Sequence, residues 1–337
     1  MYIRSILLVG ALALTAPAQA RDITDMAGRT VTLPETINSV VTVGGVPMLN
    51  SYVFIAGQGD KLAMGLPTNW DHTLWRNQFV FAPQLAELPL AQNSGNSPDL
   101  ERIIDMAPDV VLASSTAVVE LLETNGITVA QLRLNTPEDI KDAVALVGRI
   151  FGDAELGARY EAYFARIQDQ LSERLASIPE DQRPTVLYVR PGTLTQPHMI
   201  AEWWIPAGGG HSVTADGRTQ GALSLTAESI IAADPDVLVL TSVRQKSLIR
   251  EDAVLSQLDA VRKDRIAAPP VGAHAWGSST VEIVLSPLWM ATVLHPDLFP
   301  QAELIEETRR FYADFFKVDL STEQVESILH GWKPNDS

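Results

Sequence analysis

The residues best suited to hold a ligand in this 337-residue chain are aromatic and basic. Trp70, Trp75, Trp203, Trp204 and Trp276 lie in or beside stretches rich in Gly, Pro, Asn or His, close to expected strand ends. Core packing accounts for any one of them equally well, because tryptophan is well buried on average. Trp203 and Trp204 are adjacent, so on a helix they point about 100° apart and one of them is expected to face a groove. Arg76 and Arg190 flank these aromatics, and guanidinium suits bidentate recognition of carboxylates. An aromatic groove bearing arginine fits a bulky, flat or chelated anion better than a sugar or a bare ion.

Other chemistries find less support. With no Cys, disulfides, iron–sulfur clusters, thiolate zinc sites and thiol nucleophiles are all excluded. The six histidines, His72, His198, His211, His274, His295 and His330, contain no His-x-x-x-His pair. A bare-metal site would need ligands converging from distant loops. His295 before Pro296 and His330 before Gly331 read as helix-end residues favoured by the dipole. Gly208-Gly209-Gly210-His211-Ser212 places His beside Ser, but sequence neighbours rarely form a nucleophile and base, and the glycines read as a helix stop and tight turn. No phosphate-binding glycine loop or Gly-x-Ser-x-Gly elbow is present. The formal charge of −16 and the lack of a Lys/Arg run argue against binding to nucleic acid or anionic lipid.

The elements that must position these residues begin after a leader. Arg4, the apolar run Ile6 to Ala16, and Ala18-Gln19-Ala20 have the form of a signal peptide, with cleavage expected after Ala20. Losing Arg4 moves the charge from −16 to −17. Nothing later reaches the ~20 apolar residues of a membrane span, so the product is expected to be exported, soluble and periplasmic. Arg21 to Pro34 reads as a hairpin turning at Gly28, Ser39 to Val43 as a strand, Met48 to Ala56 as a helix and Lys61 to Leu66 as a second strand.

The organising signal is a repeat. Ser97 to Ser114 and Leu225 to Ser242 each carry a polar cap, an acidic first turn, a helix, a Pro-Asp stop and an apolar strand. Such strands suit a parallel sheet covered on both faces. Two copies roughly 130 residues apart are too distant for a solenoid and imply two α/β lobes. Between them Thr136-Pro137-Glu138-Asp139 caps one helix, and Gly152-Asp153 separates it from a second. Tyr160, Phe164, Ile167, Leu171 and Leu175 make an apolar stripe on that second helix, a strut of roughly 25 residues or ~37 Å. The second lobe is expected to open with the strand Thr185 to Val189, and Ser321-Thr322-Glu323-Gln324 is a capping box for its last helix. The division is therefore residues 1–20 leader, 21–152 N-terminal lobe, 153–178 interlobe helix and 179–337 C-terminal lobe: two doubly wound α/β lobes joined by a single long α-helix, with a ligand cleft between them.

In this order, Glu101 with Pro108-Asp109-Val110-Val111, Glu228 with Pro235-Asp236-Val237-Leu238, the strut, the Ala207-Gly208-Gly209-Gly210 turn, and the tail from Leu288-Trp289 through His295-Pro296 to Phe311-Tyr312 resemble class III periplasmic substrate-binding proteins of ABC importers. The resemblance implies a non-enzymatic, monomeric carrier that captures an iron siderophore or related metal chelate, haem or a corrinoid, and delivers it to an inner-membrane ABC permease. No covalently bound cofactor is implied. It further implies that Glu101 and Glu228 dock against permease arginines, although each is also an ordinary partner of a helix dipole. Ligand contacts would sit at the carboxyl ends of the strands. These are Trp70, His72, Trp75 and Arg76 in the first lobe, and Arg190, Trp203 or Trp204, His274 and Trp276 in the second. His211 stands where many relatives carry Asn, which leaves open whether it hydrogen-bonds, ligates metal or caps the turn. A carrier of bare Zn²⁺, Mn²⁺ or Ni²⁺ and an exported hydrolase are the rival readings.

Overall fold

The structure is a computed structural model that describes residues 20–68, 70, 73–93, 95–218 and 221–330. The expected leader, apart from Ala20, lies outside the described residues, as do His72 and Gly331. Alternation about Gly28 gives the hairpin of β1 (Ala20–Thr24) and β2 (Thr30–Pro34). Gly28 takes φ +79° at the turn, where a side chain would be strained. Asp25 accepts hydrogen bonds from the amides of Ala27, Arg29 and Gln131 and from the Arg29 guanidinium, which ties the hairpin to the first lobe.

That lobe is a parallel sheet in the order β3 (Val40–Val43), β4 (Val110–Ala113), β5 (Val129–Gln131). Helices α1 (Val46–Phe54), α2 (Gln78–Phe81), α3 (Leu100–Met106) and α4 (Thr116–Thr124) connect these strands, and α5 (Pro137–Phe151) follows. The stretch 61–66 is not the strand expected from its sequence. It joins β3 through the single parallel bridge Val40–Leu62, because Gly65 turns away to donate to the carbonyl of Pro89.

Thr136 caps α5 by accepting from the amide of Asp139, and Gly152 ends it at φ +80°. Helix α6 (Leu156–Leu175) is the strut, with Tyr160, Phe164, Ile167, Leu171 and Leu175 buried along one side. Its 20 residues span ~30 Å, somewhat less than the sequence pattern implies.

The second lobe has β6 (Thr185–Val189), β7 (Thr195–Gln196), α7 (Ala201–Ala207), β8 (His211–Ser212), β9 (Leu223–Ser224), α8 (Ala227–Ala233), β10 (Val237–Leu240), α9 (Lys246–Glu251), α10 (Asp259–Arg262) and β11 (Ile266–Ala267). Its main sheet runs β11-β10-β6-β8, all parallel. The last helices among the described residues are α11 (Ser286–Leu294), α12 (Gln301–Phe311) and α13 (Thr322–His330), and the Ser321–Gln324 capping box is reciprocal.

The repeat holds in detail, in two separate sheets. Asp99 caps α3 and Thr226 caps α8. Each helix ends in a left-handed residue, Ala107 or Asp234. After the proline, Asp109 accepts from the amides of Asn38 and Ser39 before β3, while Asp236 accepts from the amide and hydroxyl of Thr185 at the start of β6. The Pro-Asp stop thus ties each repeat strand to the first strand of its own lobe. Successive residues of β6 and β10 point to opposite faces. Val186, Tyr188, Val237 and Val239 join a large core that includes the N-terminal sheet and α6, whereas Leu187, Val189, Leu238 and Leu240 face a smaller, outer one. The C-terminal helices belong to the large core, where Phe81 stacks on Tyr312 and Phe54 meets Phe316.

Candidate functional site

The carboxyl ends of β4 and β5 open onto a cavity of about 550 Å³ lined by Met26, Met48, Ser114, Thr116, the run Gln131 to Asn135, and Ser279. Sequence fixes this placement simply, since Ser114 follows the last residue of β4 and Gln131 ends β5. The cap residue of α4, Ser115, makes no side-chain cap bond, so the positive end of that helix is left open beside the cavity. Arg133 lines the cavity, but its charge is matched by Asp139 at 2.6 Å. A second space of about 180 Å³ shares Leu134, Asn135 and Ser279 with the first and is closed from the other lobe by His198, Met199 and Gly221. Together they form the interlobe cleft, within the size range of small-molecule sites.

One wall is a strap, residues 271–286, that crosses between the lobes. Tyr52 donates to the carbonyl of Ser279, Tyr160 to that of Val281, and Gln78 to that of Ala273. At its centre Glu282 is wholly buried. Its carboxylate accepts from the amides of Ala273 (2.7 Å) and His274 (2.9 Å), from Thr280 Oγ1 (2.8 Å) and from the Tyr312 hydroxyl. Burial pushes its pKa above the usual carboxylate range, against the pull of these four hydrogen bonds. A Cβ at Gly272 would lie 1.8 Å from Tyr312 Oη and 1.9 Å from Glu282 Oε1, so only glycine permits the clamp.

The clamp presents His274, whose ring stacks on Trp75 with centroids 4.5 Å apart. Trp70 meets Trp75 edge-on at 5.7 Å, and its Nε1–H is buried without a hydrogen-bond partner among the described residues. Ser278 Oγ lies 2.7 Å from His274 Nδ1. Desolvation, reinforced by the charge of His198, lowers the His274 pKa to about 3. Desolvation and the Arg190 guanidinium lower that of His198 to about 4. Both imidazoles are therefore neutral at pH 7. Arg190, exposed just past the end of β6, makes no ion pair among the described residues.

Of the residues singled out from sequence, Trp70, Trp75 and His274 come together, with Arg190 close by through His198. The others are placed elsewhere. Trp204 and Trp276 are wholly buried, Trp204 between Tyr188 and Trp289, so neither ring is available to a ligand. Trp203 is part-buried and packs on Phe164 of the strut at 5.4 Å. Arg76 donates to Ser327 of α13. His211 pairs with Thr185 at the amino end of β6, opposite the cleft, where its Nε2 lies 2.6 Å from the carbonyl of Glu180. It thus secures the turn. Beside it, a Cβ at Gly208 would lie 2.6 Å from Met290 Cβ, and one at Gly209 2.6 Å from Leu175 Cδ2, so these glycines serve helix packing. Ser212 turns to Thr214 and not to His211. Among the described residues no group of three or more His, Asp or Glu side chains is arranged to hold a metal ion. No helix among them is long and apolar enough to cross a membrane. Ser114, Thr116, Asn135, His198 and Ser279 were not singled out as cleft residues, although Ser114 directly follows β4, Thr116 opens α4 and Asn135 lies four residues past β5.

Residues 75–270 match the sequence profile of the periplasmic binding protein family. A cobalamin-binding protein of Halobacterium salinarum is 31% identical over 271 residues, covering 74% of this chain and 68% of the relative. The molybdate-binding protein MolA of Haemophilus influenzae is 24% identical over 359 residues, 96% of this chain and 99% of the relative. Its molybdate-bound structure aligns with a TM-score of 0.75 at 21% identity, covering 89% of this chain and 99% of that one. Helicobacter pylori CeuE, solved as a Ni-His complex, gives 0.73 at 14% identity over 94% of this chain and 100% of that one. Those structural likenesses carry the two-lobed fold.

Proposed function

Because the chain belongs to the periplasmic binding protein family, a group of substrate-binding transport proteins and not of enzymes, we propose that it carries an anionic metal chelate, a ferric siderophore first among the candidates, to an ABC permease. The observation that carries this reading is Arg190, which makes no ion pair among the described residues and lies close to His198, a residue lining the cleft whose larger cavity measures about 550 Å³. A guanidinium at a strand end and the open amino end of α4 attract negative charge. The cavity is roomier than a four-oxygen ion needs. A bare oxyanion is the second reading, favoured by the hydroxyl and amide groups of Ser114, Thr116, Asn135 and Ser279 and by the full-length similarity to MolA.

The test is tryptophan quenching and calorimetry of the mature protein against a ferric siderophore, haem, a corrinoid, nickel–histidine and molybdate. Binding of one chelate, weakened at least tenfold by Arg190→Gln, is the expected result. Binding of molybdate alone would select the second reading, and no binding to any of the five would sink both. Glu101 and Glu228 are exposed at the second position of α3 and α8 and are proposed to meet arginines of the permease. The pair Glu101→Ala with Glu228→Ala should leave ligand affinity intact and abolish uptake.

A further inference from the structure

Resting on that docking reading, we infer that the surface which meets the permease has an apolar component duplicated with the glutamates: Ile104 with Leu121 in one lobe, and Ile231 with Leu248 in the other. Five large hydrophobic side chains are exposed among the described residues: Ile104 at 54%, Leu121 at 41%, Ile231 at 44%, Leu248 at 52% and Val254 at 39%. An exposed apolar residue standing alone needs no explanation. Here four of the five form two pairs at one separation, 127 positions, which is also the separation of Glu101 from Glu228. The fifth, Val254, corresponds at that spacing to Ile127, which is buried.

The spacing is a structural equivalence, because Ala107 and Asp234, Asp109 and Asp236, and the first residues of β4 and β10 obey it too. In both helices the residue before the exposed isoleucine, Ile103 or Ile230, is the one that enters the core. Glu and Ile three positions apart share one face of each helix. Helices α3 and α4 make successive crossovers in the same direction along β3-β4-β5, and α8 and α9 do so along β6-β10-β11, so right-handed connections lay each pair on one side of its sheet. Folding alone gives no reason for two lobes with different cores to leave the same two positions apolar and wet. A partner that presents one surface twice does, and the charge pattern asks that surface for a basic group beside an apolar hollow. A pair of related permease subunits has that form.

The experiment uses the full mature chain and the inner-membrane importer whose uptake depends on it, purified into lipid nanodiscs, with affinity read by surface plasmon resonance. Ile104→Ser and Ile231→Ser should each weaken docking about tenfold, and Leu121→Ser with Leu248→Ser should weaken it further, while ligand affinity and thermal unfolding stay at wild-type values and Val254→Ser changes nothing. Wild-type docking by the isoleucine variants, with loss in Glu101→Ala and Glu228→Ala, would overturn this inference and leave the docking reading standing. Wild-type docking by both sets would remove the two together. Self-association of the wild type that the isoleucine substitutions abolish would assign these residues to a second copy of the chain and likewise overturn it.

Discussion

The α3–β4 unit of the first lobe and the α8–β10 unit of the second share caps, left-handed stops, aspartate ties and exposed positions, and differ in what lies beyond them. After β4 the chain continues Ser114-Ser115-Thr116 into a nine-residue helix beside the 550 Å³ cavity. After β10 it continues Thr241-Ser242-Val243 into a 3-10 turn that runs straight into α9, beside a space of about 160 Å³. Their cores differ as well. Ile103 sits in the large core shared by both lobes, and Ile230 in the small outer one. Repetition built the scaffold, and the larger cavity lies beside only one of its two copies.

The largest expected effect tests what holds the two regions together. Glu282→Ala leaves the amides of Ala273 and His274 without their acceptor in a buried site, and should cost at least about 3 kcal/mol in urea unfolding. It should also separate the unfolding of the lobes into two transitions. A single coincident transition at wild-type stability would show that the strap is not the link. Next in size, Ile103→Ala should cost about 3 kcal/mol and Ile230→Ala nearer 2, since the smaller core relaxes more readily around a cavity. Hydrogen exchange should then spread through both lobes in the first variant and stay within the second lobe in the other. Equal, local effects would break the contrast.

Acid sharpens the comparison further. His198 and His274 titrate at about 4 and about 3 when folded, against 6.5 ordinarily. Above pH 6.5 neither affects stability. As pH falls below it the unfolded chain takes up protons that the native cleft refuses, so stability declines by up to about 1.4 kcal/mol per pH unit for each imidazole, levelling off near pH 3. Thermal unfolding between pH 7 and 4 should show this decline in the wild type and a flatter profile in His198→Gln with His274→Gln. Smallest of all, Asp236→Ala should cost about 1 to 2 kcal/mol, because it unties β10 from Thr185 without opening the core.

Much of this architecture is legible in residue order. The Val and Leu runs, the caps at Thr136 and Ser321 and the stripe from Tyr160 to Leu175 all report local rules that tertiary packing leaves intact. The cleft is harder to read, because exposure is a tertiary property. Gly208 and Gly277 mark turns correctly, yet the Trp204 and Trp276 rings near those turns are swallowed by α11 and the strap, and Pro206 lies inside α7. His211 follows a glycine run that exists to let helices approach. Residue order did carry two usable signals. Ser114 to Thr116 and Gln131 to Asn135 lie where strands end, and Glu282 is a lone acid inside Val281 to Leu285, an apolar run in which an acid must have buried partners.

The sharing of one interior by both lobes limits how such a carrier releases its cargo. Prising the halves widely apart would wet the rings of Phe54, Phe81, Tyr312 and Phe316 together, at a cost that grows with every square ångström exposed. Displacements that spare this interior are confined to the rim around Ser279 and His198, while the hydrophobic keel stays shut.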